Sequence, residues 1–92
     1  MEDESHSADT WRRATALDLT GLKCPLPALM TAKTLRDLPE GELIAVTVTD
    51  PLAPLDLRHL CQRDGHDVID EAQNEGGARR LLIRRGPRLV SS

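Results

Sequence analysis

The chain has 92 residues, 39% of them hydrophobic, and its one aromatic side chain is Trp11; this suffices for one small domain with a core of Leu, Val, Ile and Ala, without a metal or disulfide to hold it. Two cysteines 37 positions apart make no disulfide framework, and no apolar run approaches a membrane span, so a reducing cytoplasm and no membrane partner are expected. The net charge of −3 is uneven: residues 1–13 carry 4 acidic and 2 basic groups, 14–73 carry 10 and 5, and 74–92 carry 1 and 5.

Residues 1–13 are polar and acidic and lack a basic region followed by an apolar stretch, so they read as a disordered tail rather than a secretory signal. The folded domain is expected over 14–86, with 87–92 frayed after Gly86-Pro87. Thr15 to Leu19 alternates, placing Leu17 and Leu19 on one side of a first strand, and Thr20-Gly21 turns the chain out of it.

The run Lys23-Cys24-Pro25-Leu26-Pro27 follows. Pro25 drives Cys24 into extended dihedrals and itself suits a first helical position, so Cys24 is expected to cap the helix from Pro25 to about Leu38. A sulfur there would lie near unpaired amides and the positive end of the helix dipole, which favour the thiolate. Pro27 removes one of those donors, leaving the Leu26 and Ala28 amides. Lys23 either adds positive potential or is merely solvated. The competing role for Cys24 is that of a small buried hydrophobe.

Along this helix Leu29, Ala32, Leu35 and Leu38 form the expected apolar stripe. Pro39 to Glu42 breaks the chain, and Leu43 to Thr49 is a β-branched strand with Ile44, Val46 and Val48 on one face. Asp50-Pro51 ends it. Asp50 is read as a cap for a second helix over Ala53 to Asp64, or else as a partner-recognition residue; Leu57, Leu60 and Cys61 mark that helix's buried side, and Gly65 stops it. Cys61 is therefore assigned to the core rather than to a resolving thiol. Strands follow over His66 to Gln73 and Ala78 to Arg85, joined by a hairpin at Gly76-Gly77. The order strand, helix, strand, helix, strand, strand gives an α/β (α+β) two-layer sandwich: a mixed four-stranded sheet with both helices on one face and a polar opposite face.

Arg79, Arg80, Arg84, Arg85 and Arg88 allow an RNA surface or an acidic protein partner, but beside Leu81 to Ile83 a strand with solvated arginine ends is the commoner arrangement, so direct nucleic-acid binding is not favoured. His6, His59 and His66 show no metal-ligand spacing with the cysteines, so no metal is expected. A noncatalytic protein-binding or regulatory domain remains the alternative to thiol chemistry.

Leu17-Asp18 before Gly21-Leu22, the Cys24-Pro25-Leu26-Pro27 signature, Asp50-Pro51 after the middle strand and Asp64-Gly65-His66 after the second helix together resemble the TusA/SirA/YedF group, over about residues 16–85. The resemblance implies a βαβαββ sulfur carrier in which Cys24 takes sulfane sulfur as a persulfide from a cysteine desulfurase or rhodanese and relays it to an acceptor protein. Pro25, Pro27, Lys23, Gly21 and Asp50 would support it, and no cofactor would be needed. Such groups serve tRNA thiolation, cofactor sulfuration, selenium metabolism or sulfur oxidation, and the signature does not separate these pathways. Whether such a relay counts as an enzyme, a sulfurtransferase, depends on the transfer step.

Overall fold

The computed structural model describes residues 8–74 and 76–87. The elements are α1 (Ala8–Arg13), β1 (Thr15–Leu19), α2 (Leu26–Asp37), β2 (Leu43–Val48), α3 (Ala53–Asp64), β3 (Asp67–Gln73) and β4 (Arg79–Arg84). The sheet order is β1-β2-β4-β3, with β1 parallel to β2 and the other two pairs antiparallel. The parallel pair needs a crossover, which α2 supplies, while the antiparallel β3–β4 pair needs only a tight turn. In that turn the Asn74 amide donates to the Ala78 carbonyl at 2.8 Å and the Gly77 amide to the Asn74 carbonyl at 3.0 Å, with Gly77 at φ 91.

Both long helices pack on one face of the sheet, as the alternation predicts. Leu19, Ile44, Val46, Val48, Leu81 and Ile83 from the strands meet Leu35, Leu57, Leu60 and Cys61 from the helices in one buried cluster. Each of these side chains is withdrawn almost wholly from water, which is the main favourable term in the fold. Gly65 ends α3 in the left-handed region at φ 84, its amide bonded to the Cys61 carbonyl at 2.8 Å.

Three expectations are corrected. The buried stripe of α2 is Pro27, Thr31 and Leu35, flanked by Ala28, Ala32 and Leu38, and Leu29 is 60% exposed. The i, i+4, i+8 row of Pro27, Thr31 and Leu35 defines the inward direction, and Leu29 falls outside it. The opposite face of the sheet is not simply polar: Ala45 and Leu82 are cross-strand partners there and both are buried. The expected disordered tail is a helix over Ala8–Arg13. Trp11 Nε1 donates to Asp70 Oδ2 at 3.2 Å, and the Arg80 guanidinium lies 4.6 Å from the ring centroid. Asp70 is paired with Leu82, and Arg80 lies two residues before Leu82 in β4, so all three share the face away from α2 and α3. A cation–π contact and a side-chain hydrogen bond thus tie α1 to that face. The remaining tail residues, 1–7 and 88–92, lie outside the described residues.

Candidate functional site

The site forms where two chain crossings meet, at the ends of β1 and β2 and the starts of α2 and α3. Gly21 turns the chain out of β1 at φ 84, a backbone angle that side-chain-bearing residues rarely adopt, and its amide donates to Thr49 Oγ1 at 2.9 Å. Leu22 N–H returns to the Leu19 carbonyl at 3.1 Å, closing the turn. A second turn runs over Lys23-Cys24-Pro25-Leu26, closed by the Leu26 amide donating to the Lys23 carbonyl at 2.8 Å. Cys24 sits at its apex as an exposed free thiol.

The cap expected of Cys24 is not made. The N-cap of α2 is Pro25, with no side-chain hydrogen bond to the helix end, and the Cys24–Pro25 peptide is cis. Leu26 and Pro27 take the first two helical positions, and Pro27 is buried. The Leu26 amide, one of the two expected to face the sulfur, is engaged by Lys23 instead. Pro25 and Pro27 thus fix the first helical residue, Leu26, two positions beyond the cysteine.

What faces the sulfur is a carboxylate. Cys24 Sγ donates a hydrogen bond to Asp56 Oδ2, across 32 residues of sequence. That bond, followed by desolvation and by the charges of Asp56 and Asp50, pushes the thiol pKa above its ordinary value, because each disfavours the anion. The expected helix-end activation is therefore overturned: the resting sulfur is stabilised as a thiol. Asp56, in the first turn of α3, escaped sequence reasoning because an acidic residue there is routinely accounted for by the helix dipole.

Asp50 is not the cap of α3, whose N-cap is Leu52. Its carboxylate joins the two loops instead: Oδ2 accepts the Cys24 amide at 2.6 Å and Oδ1 accepts the Leu52 amide at 3.0 Å. These two amides, and more weakly the charge of Lys23, hold the Asp50 carboxyl below the usual carboxylate range. Lys23, placed beside the thiol by sequence, is exposed, and its charge is felt at Asp50. Gly21, Leu22, Lys23, Thr49, Asp50 and Pro51 line a shallow cavity of about 320 Å³ at this end of the molecule.

Large apolar side chains stand in solvent around the same end. Leu26, Leu29 and Met30 from the opening turns of α2, and Leu52 and Leu55 from the start of α3, are all exposed, Leu29 by 60% and Leu52 by 61%. The remaining candidates lie elsewhere. Cys61 is buried in the core, and burial, reinforced by the charges of Asp64 and Asp67, pushes its thiol up to about 12. His66 is half-buried rather than a plain surface histidine, its Nδ1 accepting the Gly86 amide at 2.9 Å. Among the described residues no group of three or more His, Cys, Asp or Glu side chains is placed to hold a metal ion.

The arginines are engaged within the chain. Arg79 pairs with Glu71 at 3.5 Å, Arg84 with Asp67 at 3.2 Å, and Arg80 lies over Trp11. Arg85 is buried, donating to the carbonyls of Leu38 and Gly86. Arg88 lies outside the described residues. No described helix is long and apolar enough to cross a membrane.

The chain is similar to known proteins in sequence and in fold. The family model for sulfurtransferase TusA matches residues 15–85. The sulfur carrier protein TusA of Pseudomonas aeruginosa is 37% identical over 81 residues, which cover 88% of this chain and 95% of that protein. The TusA of Pseudomonas fluorescens is 40% identical over 60 residues, covering 65% and 72%. A crystal structure of a SirA-like protein from Desulfitobacterium hafniense superposes with a TM-score of 0.71 over 79% of this chain and 99% of that one, at 23% identity, and so shows the fold. With a match that runs from the first residue of β1 to the residue after β4, this chain belongs to the TusA family.

Proposed function

We propose that this protein is a sulfur carrier that accepts sulfane sulfur as a persulfide on Cys24 and passes it to an acceptor protein. The observation that carries this reading is an exposed thiol held at the apex of a tight turn, fixed by its own amide to Asp50, with exposed Leu and Met side chains on the opening segments of the two adjoining helices. The exposure admits a second protein's sulfur, and the apolar surroundings suit a surface that is covered during docking. Family membership and the sulfur-carrier names of its relatives support the same role.

The exchange needs only the two proteins. The Cys24 thiolate attacks the outer sulfur of a donor persulfide, forming a new S–S bond, while the donor's S–S bond breaks and its inner sulfur departs as a thiolate. Cys24 is then the persulfide Cys24–S–SH. In the second half the outer sulfur is handed to the acceptor and Cys24 returns as a thiol, so it is regenerated in each cycle and acts as the catalytic nucleophile of a sulfurtransferase. A cysteine desulfurase or a rhodanese is the donor class that supplies sulfur in this form, and a reducing compartment such as the cytoplasm keeps the Cys24 thiol available.

The test is to incubate the protein with a cysteine desulfurase and cysteine and weigh it intact. The native chain should gain one sulfur atom, and Cys24→Ser should gain none. Absence of added sulfur on the native chain with desulfurase and rhodanese donors alike would remove the proposal.

A further inference from the structure

A carrier sulfur must be a thiolate at the moment it attacks, since the thiolate is the nucleophilic form. The structure places a carboxylate on its proton instead. Asp56 is half-buried in the first turn of α3, anchored by the backbone bond from its amide to the Leu52 carbonyl at 3.2 Å. Its Oδ2 receives the Cys24 S–H. A second carboxylate, Asp50, is fixed next to the same residue by the Cys24 amide. An anion formed at Sγ would thus sit near two others. Neither carboxylate has an ion-pair partner among the described salt bridges. Such an arrangement does not serve a constitutively reactive thiol.

We infer that Asp56 is a positioning residue that latches the empty carrier: it holds the Cys24 sulfur by its proton, keeps it inert toward stray electrophiles, and lets go when a sulfur donor docks. The inference rests on the sulfur-carrier reading for the identity of the docking partner, but the latch itself is a property of the isolated chain. Release proceeds by loss of the Sγ proton to solvent. The Sγ electron pair then bonds the outer sulfur of the donor persulfide, the donor S–S pair leaves on the inner sulfur, and that sulfur takes a proton from solvent. Cys24 ends oxidised to a persulfide and the donor's inner sulfur reduced to a thiol, with no other reactant.

The latch explains how an exposed thiol can be carried safely. A free cysteine on the surface invites oxidation and mixed disulfides in proportion to its thiolate fraction. A donor that displaces Asp56 on docking would restore reactivity only where sulfur is being offered.

Two rates measured on the native chain, Asp56→Asn, Asp56→Ser and Asp56→Glu test the proposal. The first is the rate of Cys24 alkylation by iodoacetamide against pH, and the second is sulfur loading by a cysteine desulfurase with cysteine. Asn and Ser cannot carry the charge, so the alkylation midpoint should fall in both, with a rate gain at neutral pH of up to about tenfold for each unit of fall, since the less basic thiolate is also a weaker nucleophile. Glu should keep the midpoint high. Loading should gain less than alkylation, because the docked donor already opens the latch. An unchanged midpoint in whichever of Asn or Ser folds, as judged by circular dichroism, overturns the latch. Equal gains in loading and alkylation overturn release by docking. A lowered midpoint in a chain that takes up no sulfur at all leaves the latch standing and removes the carrier reading instead.

Discussion

The Asp50 carboxylate accepts the Cys24 amide at 2.6 Å, across 26 residues of sequence, and with its other oxygen accepts the Leu52 amide. One side chain thereby fixes the reactive turn to the start of α3, on which Asp56 stands. Asp50→Ala should free the turn, broaden or shift the Cys24 amide resonance, and slow persulfide loading several-fold while leaving the sheet intact. The same contact is acid-sensitive. Because the folded-state pKa of Asp50 is depressed, its contribution is fully present above the ordinary carboxylate value and is lost as pH falls through the lowered one. The Cys24 amide resonance should therefore move in strongly acid solution, below the range where an ordinary carboxylate titrates, and Asp50→Asn should abolish that movement.

Cys61 is expected to behave as a core side chain. It is 1% exposed, packed in the cluster with Leu57 and Leu60, and its thiol is pushed up to about 12. Iodoacetamide should modify native protein at Cys24 first, slowly near neutral pH and faster as pH rises, while Cys61 is spared. Cys61→Ala should cost about 1–2 kcal/mol in urea unfolding through the cavity it leaves, with the persulfide still formed on Cys24. Loss of loading without loss of stability would instead make Cys61 part of the relay.

The sequence made the local breaks legible and the long-range contacts opaque. Thr15–Leu19 and Ala53–Asp64 were readable to the residue, because Gly21, Asp50-Pro51 and Gly65 punctuate the chain where it changes direction. The placement of Cys24 at a strand-to-helix junction was equally readable from its prolines. Its electrostatics were not, since Asp56 lies 32 residues away and meets the sulfur only because α2 and α3 begin side by side. Helix periodicity alone also misplaced Leu29. Leu29 and Ala32 keep the spacing of a buried stripe, yet the side turned inward is set by what α2 packs against, and that side carries Thr31. The helix Ala8–Arg13 has no apolar periodicity of its own, and its anchor is Asp70, 59 residues from Trp11.

Gly86 is required by a close approach of two backbones. A Cβ at this position would lie 1.7 Å from the Gly65 carbonyl oxygen and 2.7 Å from its carbon, neither of which can rotate away. Gly86→Ala must therefore displace the segment after β4 from the end of α3, and should cost about 1–3 kcal/mol or more. Gly76 provides the contrast, as a Cβ there meets nothing within 4 Å. Gly76→Ala should stay within about 0.5 kcal/mol of the native chain in the same denaturant titration.

His66 links that contact to pH. Its Nδ1 accepts the Gly86 amide at 2.9 Å, so the ring must be neutral at that nitrogen to keep the bond. Burial, and next the charge of Arg85, lower its pKa, outweighing the opposing pull of Asp64 and Asp67. For a histidine depressed in the folded state, the unfolded chain binds the proton more readily. The stability it contributes is then complete above the unfolded value of about 6.5 and is lost as pH falls through the lowered folded value. Urea midpoints measured from pH 8 to 5 should fall over the acidic half of that range in the native chain. His66→Asn removes the titrating ring, so its midpoint should start lower and lose most of that slope. A native-chain midpoint that rises on acidification over this window would show that the ring gains its proton on folding, and that the bond to Gly86 does not govern this end of the molecule.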